Sequence, residues 1–269
     1  GFVAVPLSVP MIGVHDERAT AVLKDCTPSV VVSTSSAVDA VMPSLAAVPG
    51  APTVVEVDAL DLDSPAAPYN GPRELPKTAF LQYTSGSTRT PAGVMVTHDN
   101  LVENLRQIEF DYFSESGGKA PSNTAIVSWL PFYHDMGLVL GVFSCIGFGT
   151  KCVLTSPMAF LQKPSRWIQM VASEHRAVSP APNFAYELAV RRTTDEDMAG
   201  LTLANALSFV SGAERIHPAT VRRFLDRFSK FDLPETAFRP AYGLAEATVY
   251  VTSAPPLRKP AIGRFDYEK

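Results

Sequence analysis

Two periods of apolar residues alternate along this chain. Ala19, Val22, Leu23 and Cys26 recur at helical spacing within residues 16–26, and the run Val30-Val-Val-Ser-Thr that follows reads as a buried strand. A second helix is expected over 37–47 and a strand over Thr53-Val-Val-Glu-Val. From residue 58 the chain turns acidic and proline-rich, with Pro65, Pro68, Pro72 and Pro76, which marks 61–78 as a linker. Residues 1–60 are thus read as part of a first α/β subdomain and 79–269 as a second region. There, Ala79-Phe-Leu-Gln-Tyr is strand-like, and Leu101, Leu105 and Ile108 predict a helix that Thr97 or Asn100 is placed to cap. Strands are expected at Ala125-Ile-Val-Ser-Trp-Leu, Lys151-Cys-Val-Leu-Thr, 207–211 and 236–239. Met136–Phe148 reads as a buried apolar helix, and Ile168, Val171, Ala172 and His175 as an amphipathic one. Pro182 opens another helix, and Pro218 sits in the first turn of the one carrying Val221, Phe224, Leu225 and Phe228. This alternation predicts an α/β fold of parallel sheets covered on both faces.

Composition narrows the classes. With 269 residues the chain can bury a full core, and 46% hydrophobic with 19% charged residues is ordinary for a globular protein. A net charge of -4 argues against a nucleic-acid surface, which needs clustered Lys and Arg. The three cysteines, Cys26, Cys145 and Cys152, stand in apolar stretches, so buried thiols in a reducing, cytoplasmic compartment are expected instead of a disulfide framework. The five histidines are scattered without metal-ligand spacing. No basic segment opens the chain as in a signal peptide, and the run Met136–Phe148 is shorter than the ~20 residues of a membrane span. The chain begins without Met inside an expected strand and ends on Phe265-Asp-Tyr-Glu-Lys, so it is read as a piece of a longer protein, truncated at both ends.

The densest chemistry lies at Tyr83-Thr-Ser-Gly-Ser-Thr-Arg-Thr-Pro-Ala-Gly-Val. Thr84, Ser85, Ser87 and Thr88 surround Gly86 directly after a strand, and small hydroxyl residues with glycine let N–H and O–H groups approach phosphate oxygens. No Gly-Lys-Ser/Thr ends the loop, and the helix is expected only near Thr97, so it is not a Walker A loop. Three further runs follow strands: Trp129-Leu-Pro-Phe-Tyr-His-Asp-Met-Gly-Leu, Ser208-Phe-Val-Ser-Gly-Ala-Glu and Arg239-Pro-Ala-Tyr-Gly-Leu-Ala-Glu-Ala-Thr. Ligands of open α/β folds collect at the carboxyl ends of strands, which singles out His134 in the first of these. Each run alone is as readily a plain turn.

Together, in this order and spacing, the four runs resemble adenylate-forming enzymes. With Ala181-Pro-Asn-Phe-Ala-Tyr-Glu-Leu-Ala and Val5-Pro-Leu-Ser-Val-Pro, the chain looks like a fatty acyl-AMP ligase of the mycobacterial lipid-synthesis type nearly end to end. Many relatives in the wider superfamily carry Gly and Lys where this loop has Arg89 and Ala92, and Thr where the last run has Ala245. Arg89-Thr-Pro-Ala is the form fatty acyl-AMP ligases tend to have.

The resemblance implies two doubly wound α/β subdomains of an N-terminal domain, with the site in the crevice between them. It implies ATP as substrate, Mg²⁺, and a long-chain fatty acid converted to acyl-adenylate. The acyl group would then pass to an acyl carrier protein or polyketide synthase. Thr84, Ser85, Gly86, Ser87 and Thr88 would meet the β- and γ-phosphates, and Glu246 the metal. Gly212, Ala213 and Glu214 would form one adenine wall, Tyr242 and Gly243 the other, with Tyr242 stacked on the base. His134 would contact the reacting carboxylate or the α-phosphate. Trp129, Phe132, Met136 and Phe184 are placed equally well in an acyl tunnel or in ordinary core. The ribose-binding Asp motif and the C-terminal domain with its lysine are not in this sequence, so the fragment alone is expected to be inactive. An acyl-CoA synthetase and a non-catalytic nucleotide- or lipid-binding module are the alternatives.

Overall fold

A computed structural model describes residues 1–10, 16–64, 71, 74–84, 92–263, 265 and 266. It divides into two compact units, Gly1–His98 and Asp99–Lys269.

In the first unit, α1 (Glu17–Cys26) starts where the Asp16 carboxylate accepts from the Ala19 N–H at 2.9 Å. Its buried face is Ala19, Val22 and Leu23. Strand β1 (Val30–Ser33) pairs in parallel with β2 (Thr53–Glu56) across α2 (Val38–Leu45). Leu23, Leu45 and Val48 form the core beneath them. Strand β3 (Thr78–Tyr83) pairs antiparallel with β4 (Gly93–Thr97), a strand not expected from the sequence, and the helix expected near Thr97 begins directly after it at His98. The strand expected at the chain's start reduces to one parallel bridge, Ala4 with Phe80. The stretch 61–78 and the β3–β4 hairpin both belong to this unit.

In the second unit, α3 (His98–Tyr112) buries Asn104, Ile108, Glu109 and Tyr112, and Thr97 directly precedes it. A six-stranded sheet follows, in the order β10-β9-β8-β7-β5-β6. Its members are β5 (Ala125–Ser128), β6 (Lys151–Leu154), β7 (Ala177–Ala181), β8 (Ala206–Ser211), β9 (Phe238–Tyr242) and β10 (Thr252–Ser253). Strands β5 to β9 pair in parallel, and β10 lies antiparallel on β9. Every residue of β5 and β7 is buried, as a sheet covered on both faces requires.

The apolar run after β5 is helical but wound as a π-helix over Met136–Phe143, continuing into α4 (Ser144–Phe148). Helices α5 (Pro157–Gln162), α6 (Ser165–Ala172), α7 (Asn183–Arg192) and α8 (Pro218–Ser229) complete the unit. Trp167, Tyr186, Phe209, Phe224, Phe228 and Phe238 are all buried and meet mostly edge to face, with neighbouring ring centroids such as Tyr186–Phe224 4.9 Å apart. This aromatic layer fixes α6, α7 and α8 on the sheet.

Candidate functional site at the strand ends

Two turns at the carboxyl ends of neighbouring strands carry six of the twelve site residues singled out from sequence. After β8 the chain passes through Gly212, Ala213 and Glu214. A methyl in place of the Gly212 hydrogen would lie 3.4 Å from the Ala241 carbonyl oxygen and 3.8 Å from Met136 Cε. That contact brings the β8 turn beside the residue preceding Tyr242 and beside the start of the π-helix. Ala213 takes the left-handed conformation, φ +65°, which costs an L-residue about 1–2 kcal/mol. Glu214 is engaged: its Oε1 accepts from the Phe184 N–H at 2.7 Å, in the first turn of α7. In return the Asn183 side chain accepts from the His217 N–H at 3.0 Å. Helix α7 has Pro182 at its N-cap and no cap of its own, so the carboxylate supplied by the β8 turn meets an otherwise orphaned donor.

After β9, Tyr242 is 60% exposed. Gly243 passes so close to the returning chain that a Cβ there would lie 1.6 Å from the Val249 carbonyl oxygen, so only glycine fits. Ala245–Ala247 makes one 3₁₀ turn that presents Glu246 to solvent. Among the described residues Glu246 has neither an ion pair nor a hydrogen-bond partner. Thr248 then adopts φ +69° and ψ −59°, with the Val249 N–H donating to the Ala247 carbonyl at 2.9 Å. This is a γ-turn of the rare strained hand on a β-branched residue.

The β9 turn is held at both ends by a buried polar network. Arg239, its side chain 3% exposed, sits 2.8 Å from Asp111 Oδ2, donates to the Asp111 carbonyl at 3.1 Å, and lies over the Tyr112 ring at 4.4 Å. Tyr250 OH donates to the same Asp111 carboxylate, and Ser253 Oγ donates to it at 2.6 Å. Asn104 clasps the backbone of Tyr250, donating to its carbonyl at 2.9 Å and accepting from its N–H at 3.0 Å. Burial pushes the Tyr112 phenol far above its ordinary value, and burial with Asp111 pushes Tyr250 up to about 12, so both phenols stay protonated and Tyr250 remains a donor to Asp111. Sequence reading missed this network because its bonded partners lie up to 146 residues apart in the chain. The arginine opening the last run was the one visible sign of it.

His134 lies in the turn after β5, its side chain 51% exposed and Nδ1 2.8 Å from Asp135 Oδ1. The Met136 N–H donates to Asp135 Oδ1 at 2.7 Å and to His134 Nδ1 at 3.3 Å. These contacts hold the ring at Nδ1 and leave Nε2 for a ligand.

In the first unit, Thr84 N–H donates to the Ala92 carbonyl at 3.4 Å, so the loop between β3 and β4 is closed at its base. A Cβ at Gly93 would come within 2.9 Å of the Tyr83 ring, which explains that glycine. Ser85, Gly86, Ser87, Thr88 and Arg89 lie outside the described residues.

The apolar candidates divide. Trp129 and Met136 are core residues, Trp129 stacking on Phe160 with centroids 3.9 Å apart, whereas Phe132 and Phe184 are exposed. A void of about 10 Å³ lined by Ile108, Tyr112, Ile126, Leu140, Val178 and Val210 is too small for an acyl chain. Of the thiols expected to be buried, only Cys145 is; Cys26 is half-buried and Cys152 exposed. Among the described residues no helix is long and apolar enough to cross a membrane.

Residues 1–265 match the AMP-binding enzyme family. The chain belongs to that family. It is 54% identical over 270 aligned positions to the long-chain-fatty-acid–AMP ligase FadD28 of Mycobacterium tuberculosis H37Rv, covering all of this chain and 47% of the relative. FadD26 of Mycobacterium marinum, bearing the same enzyme name, is 53% identical, with 46% of its length covered. The chain thus spans about half the length of the curated relatives it matches. Among solved structures, a fatty acyl-adenylate ligase from L. pneumophila in complex with acyl adenylate and pyrophosphate matches at 32% identity and TM-score 0.75, over 88% of this chain and 40% of that one. Fatty acyl-adenylate ligases from E. coli and L. pneumophila give TM-score 0.82 at 31% identity, over 94% and 44%. The fold is therefore that of an AMP-binding N-terminal region, as the resemblance implied.

Proposed function

We propose that the protein carrying this chain activates a long-chain fatty acid with ATP. A fatty carboxylate oxygen attacks the α-phosphorus, pyrophosphate leaves, and acyl-adenylate forms. The observation that carries this reading is the end-to-end identity of 54% to a long-chain-fatty-acid–AMP ligase, coupled to a site whose one unpartnered carboxylate, Glu246, stands in an exposed turn.

The donor set suits a shared metal. No group of three or more His, Cys, Asp or Glu converges among the described residues, and a lone carboxylate fits Mg²⁺, whose other ligands are phosphate oxygens and water. Glu246 would hold the ion, which when bound neutralises charge developing on the phosphates. Tyr242 would stack on adenine, with the β8 turn opposite. His134, its ring held at Nδ1 beside Asp135, would donate through Nε2–H to the reacting carboxylate or α-phosphate. Thr84 to Thr88 would meet the β- and γ-phosphates.

The acyl group would pass to the thiol of an acyl carrier protein or polyketide synthase, in the cytoplasm. Mass spectrometry of the protein with ATP and a ladder of fatty acids, with and without coenzyme A, tests this. Acyl-AMP that accumulates and is not consumed by coenzyme A is the expected result. Acyl-CoA would make it an acyl-CoA synthetase, and no adenylate with any acid would make it a binding module.

A further inference from the structure

Cys145 and Cys152 were expected to be buried thiols outside any disulfide framework, and the structure brings them together on one acceptor. Cys145 is buried in α4, and Cys152 is exposed on β6, the edge strand of the six-stranded sheet. Both thiols donate to one acceptor, the Gly141 carbonyl oxygen, at 3.3 Å and 3.2 Å. The Cys145 sulfur also lies 3.9 Å from the Lys151 carbonyl oxygen. The intervening turn is closed by Thr150 N–H donating to the Cys145 carbonyl at 3.1 Å. Two sulfurs that share one acceptor are near enough for side-chain rotation to bring them toward bonding distance.

We propose that Cys145 and Cys152 are a peroxide-responsive dithiol that closes into a disulfide. The exposed Cys152 meets the oxidant first. Its thiolate attacks one peroxide oxygen, the O–O bond breaks, and the leaving oxygen departs as water, giving a Cys152 sulfenic acid. Burial and the neighbouring Cys152 push the Cys145 thiol up to about 12, so it waits protonated. Its sulfur then attacks the Cys152 sulfur, the S–OH bond breaks, and the hydroxyl leaves as water with the Cys145 proton. Two thiols and one hydrogen peroxide thus give one disulfide and two waters. The bond would tie the edge strand to the helix continuing from the segment that His134 and Asp135 precede. None of this depends on the adenylation reading, because the thiol pair is defined by its own geometry.

The test is a thiol count and peptide map on the chain before and after hydrogen peroxide, with alkylation under denaturing conditions. The chain has three cysteines, and titratable thiols should fall from three to one, leaving Cys26. The intact mass should fall by two hydrogens, a Cys145–Cys152 linked peptide should appear, and dithiothreitol should restore all three thiols. In Cys152→Ser the Cys145 thiol should stay alkylatable, and Cys26→Ser should still form the link. Cys152 gaining two oxygens while Cys145 remains alkylatable, a bond to Cys26, or a disulfide between two chains would each overturn the proposal.

Discussion

The turns after β8 and β9 leave neighbouring parallel strands, each bears one glutamate, and each bears a non-glycine residue at positive φ. They spend those features differently. The β8 turn gives Glu214 to the first turn of α7, so its carboxylate is part of the fold. The β9 turn keeps Glu246 unpartnered and exposed, and the fold instead holds the turn from beneath through Arg239, Asp111, Tyr250 and Asn104. Two carboxylates that look equivalent in sequence are therefore a cap and, among the described residues, an unpartnered exposed group that we propose as the metal ligand. The strain at Thr248 sits beside the free one, where an unfavourable backbone must be enforced by its surroundings.

The comparison breaks most sharply at Arg239. Arg239→Met removes a buried guanidinium from the partly exposed Asp111 and should cost about 1.5–3 kcal/mol of stability. Urea unfolding measures it, and a loss under 1 kcal/mol would mean that the network does not support the β9 turn. Next comes Tyr242. In the protein carrying this chain, Tyr242→Ala should weaken ATP binding by about 1–3 kcal/mol, as loss of base stacking does elsewhere, while Tyr242→Phe should be mild. Equal and severe losses in calorimetry would assign the effect to the hydroxyl.

The smallest expected effect lies far from both turns and serves as a control. The Lys163 ammonium, 2.9 Å away, and the Thr194 N–H hold the Asp197 carboxyl at about 2, below its ordinary 3.8. A depressed carboxyl contributes stability that is full above pH 4 or so and lost as pH falls through about 2. Lys163→Met should therefore flatten the acid limb of the stability curve between those values. Denaturation midpoints across that window check it, and a slope equal to wild type would dissolve the pair. Activity and nucleotide affinity at neutral pH should be unmoved.

Local periodicity made α1, α8 and the buried strand β5 legible, because each side chain's face is set by its own neighbours in sequence. Strand β7 escaped notice: its Ala, Ser and Pro are poor strand formers, and Pro180 lacks a donor. It survives in mid-sheet because the β5–β7 ladder ends at Val178, and Ser179 Oγ bonds the Val127 carbonyl at 2.6 Å instead. Strand β4 has no separate signal in Gly93-Val-Met-Val-Thr, because that short run leads directly into the start of α3. In the site, residue identities were legible but their states were not. Positive φ would be assigned to Gly212, yet Ala213 adopts it while Gly212 answers a close approach. Neither the cap made by Glu214 nor the γ-turn at Thr248 has a local sequence signal, since both are imposed by packing between distant segments.

The central claim, that one glutamate is a ligand and the other a cap, is tested most directly by a matched pair. Glu246→Gln and Glu214→Gln would be compared in the same protein by fatty-acid-dependent pyrophosphate release at saturating Mg²⁺ and by urea unfolding. Glu246→Gln should cut turnover by at least two orders of magnitude, about 3 kcal/mol, and leave stability within about 0.5 kcal/mol. Glu214→Gln should lose about 1 kcal/mol of stability with a smaller loss of turnover. Near-normal turnover in Glu246→Gln, or the two variants exchanging these effects, would contradict the account.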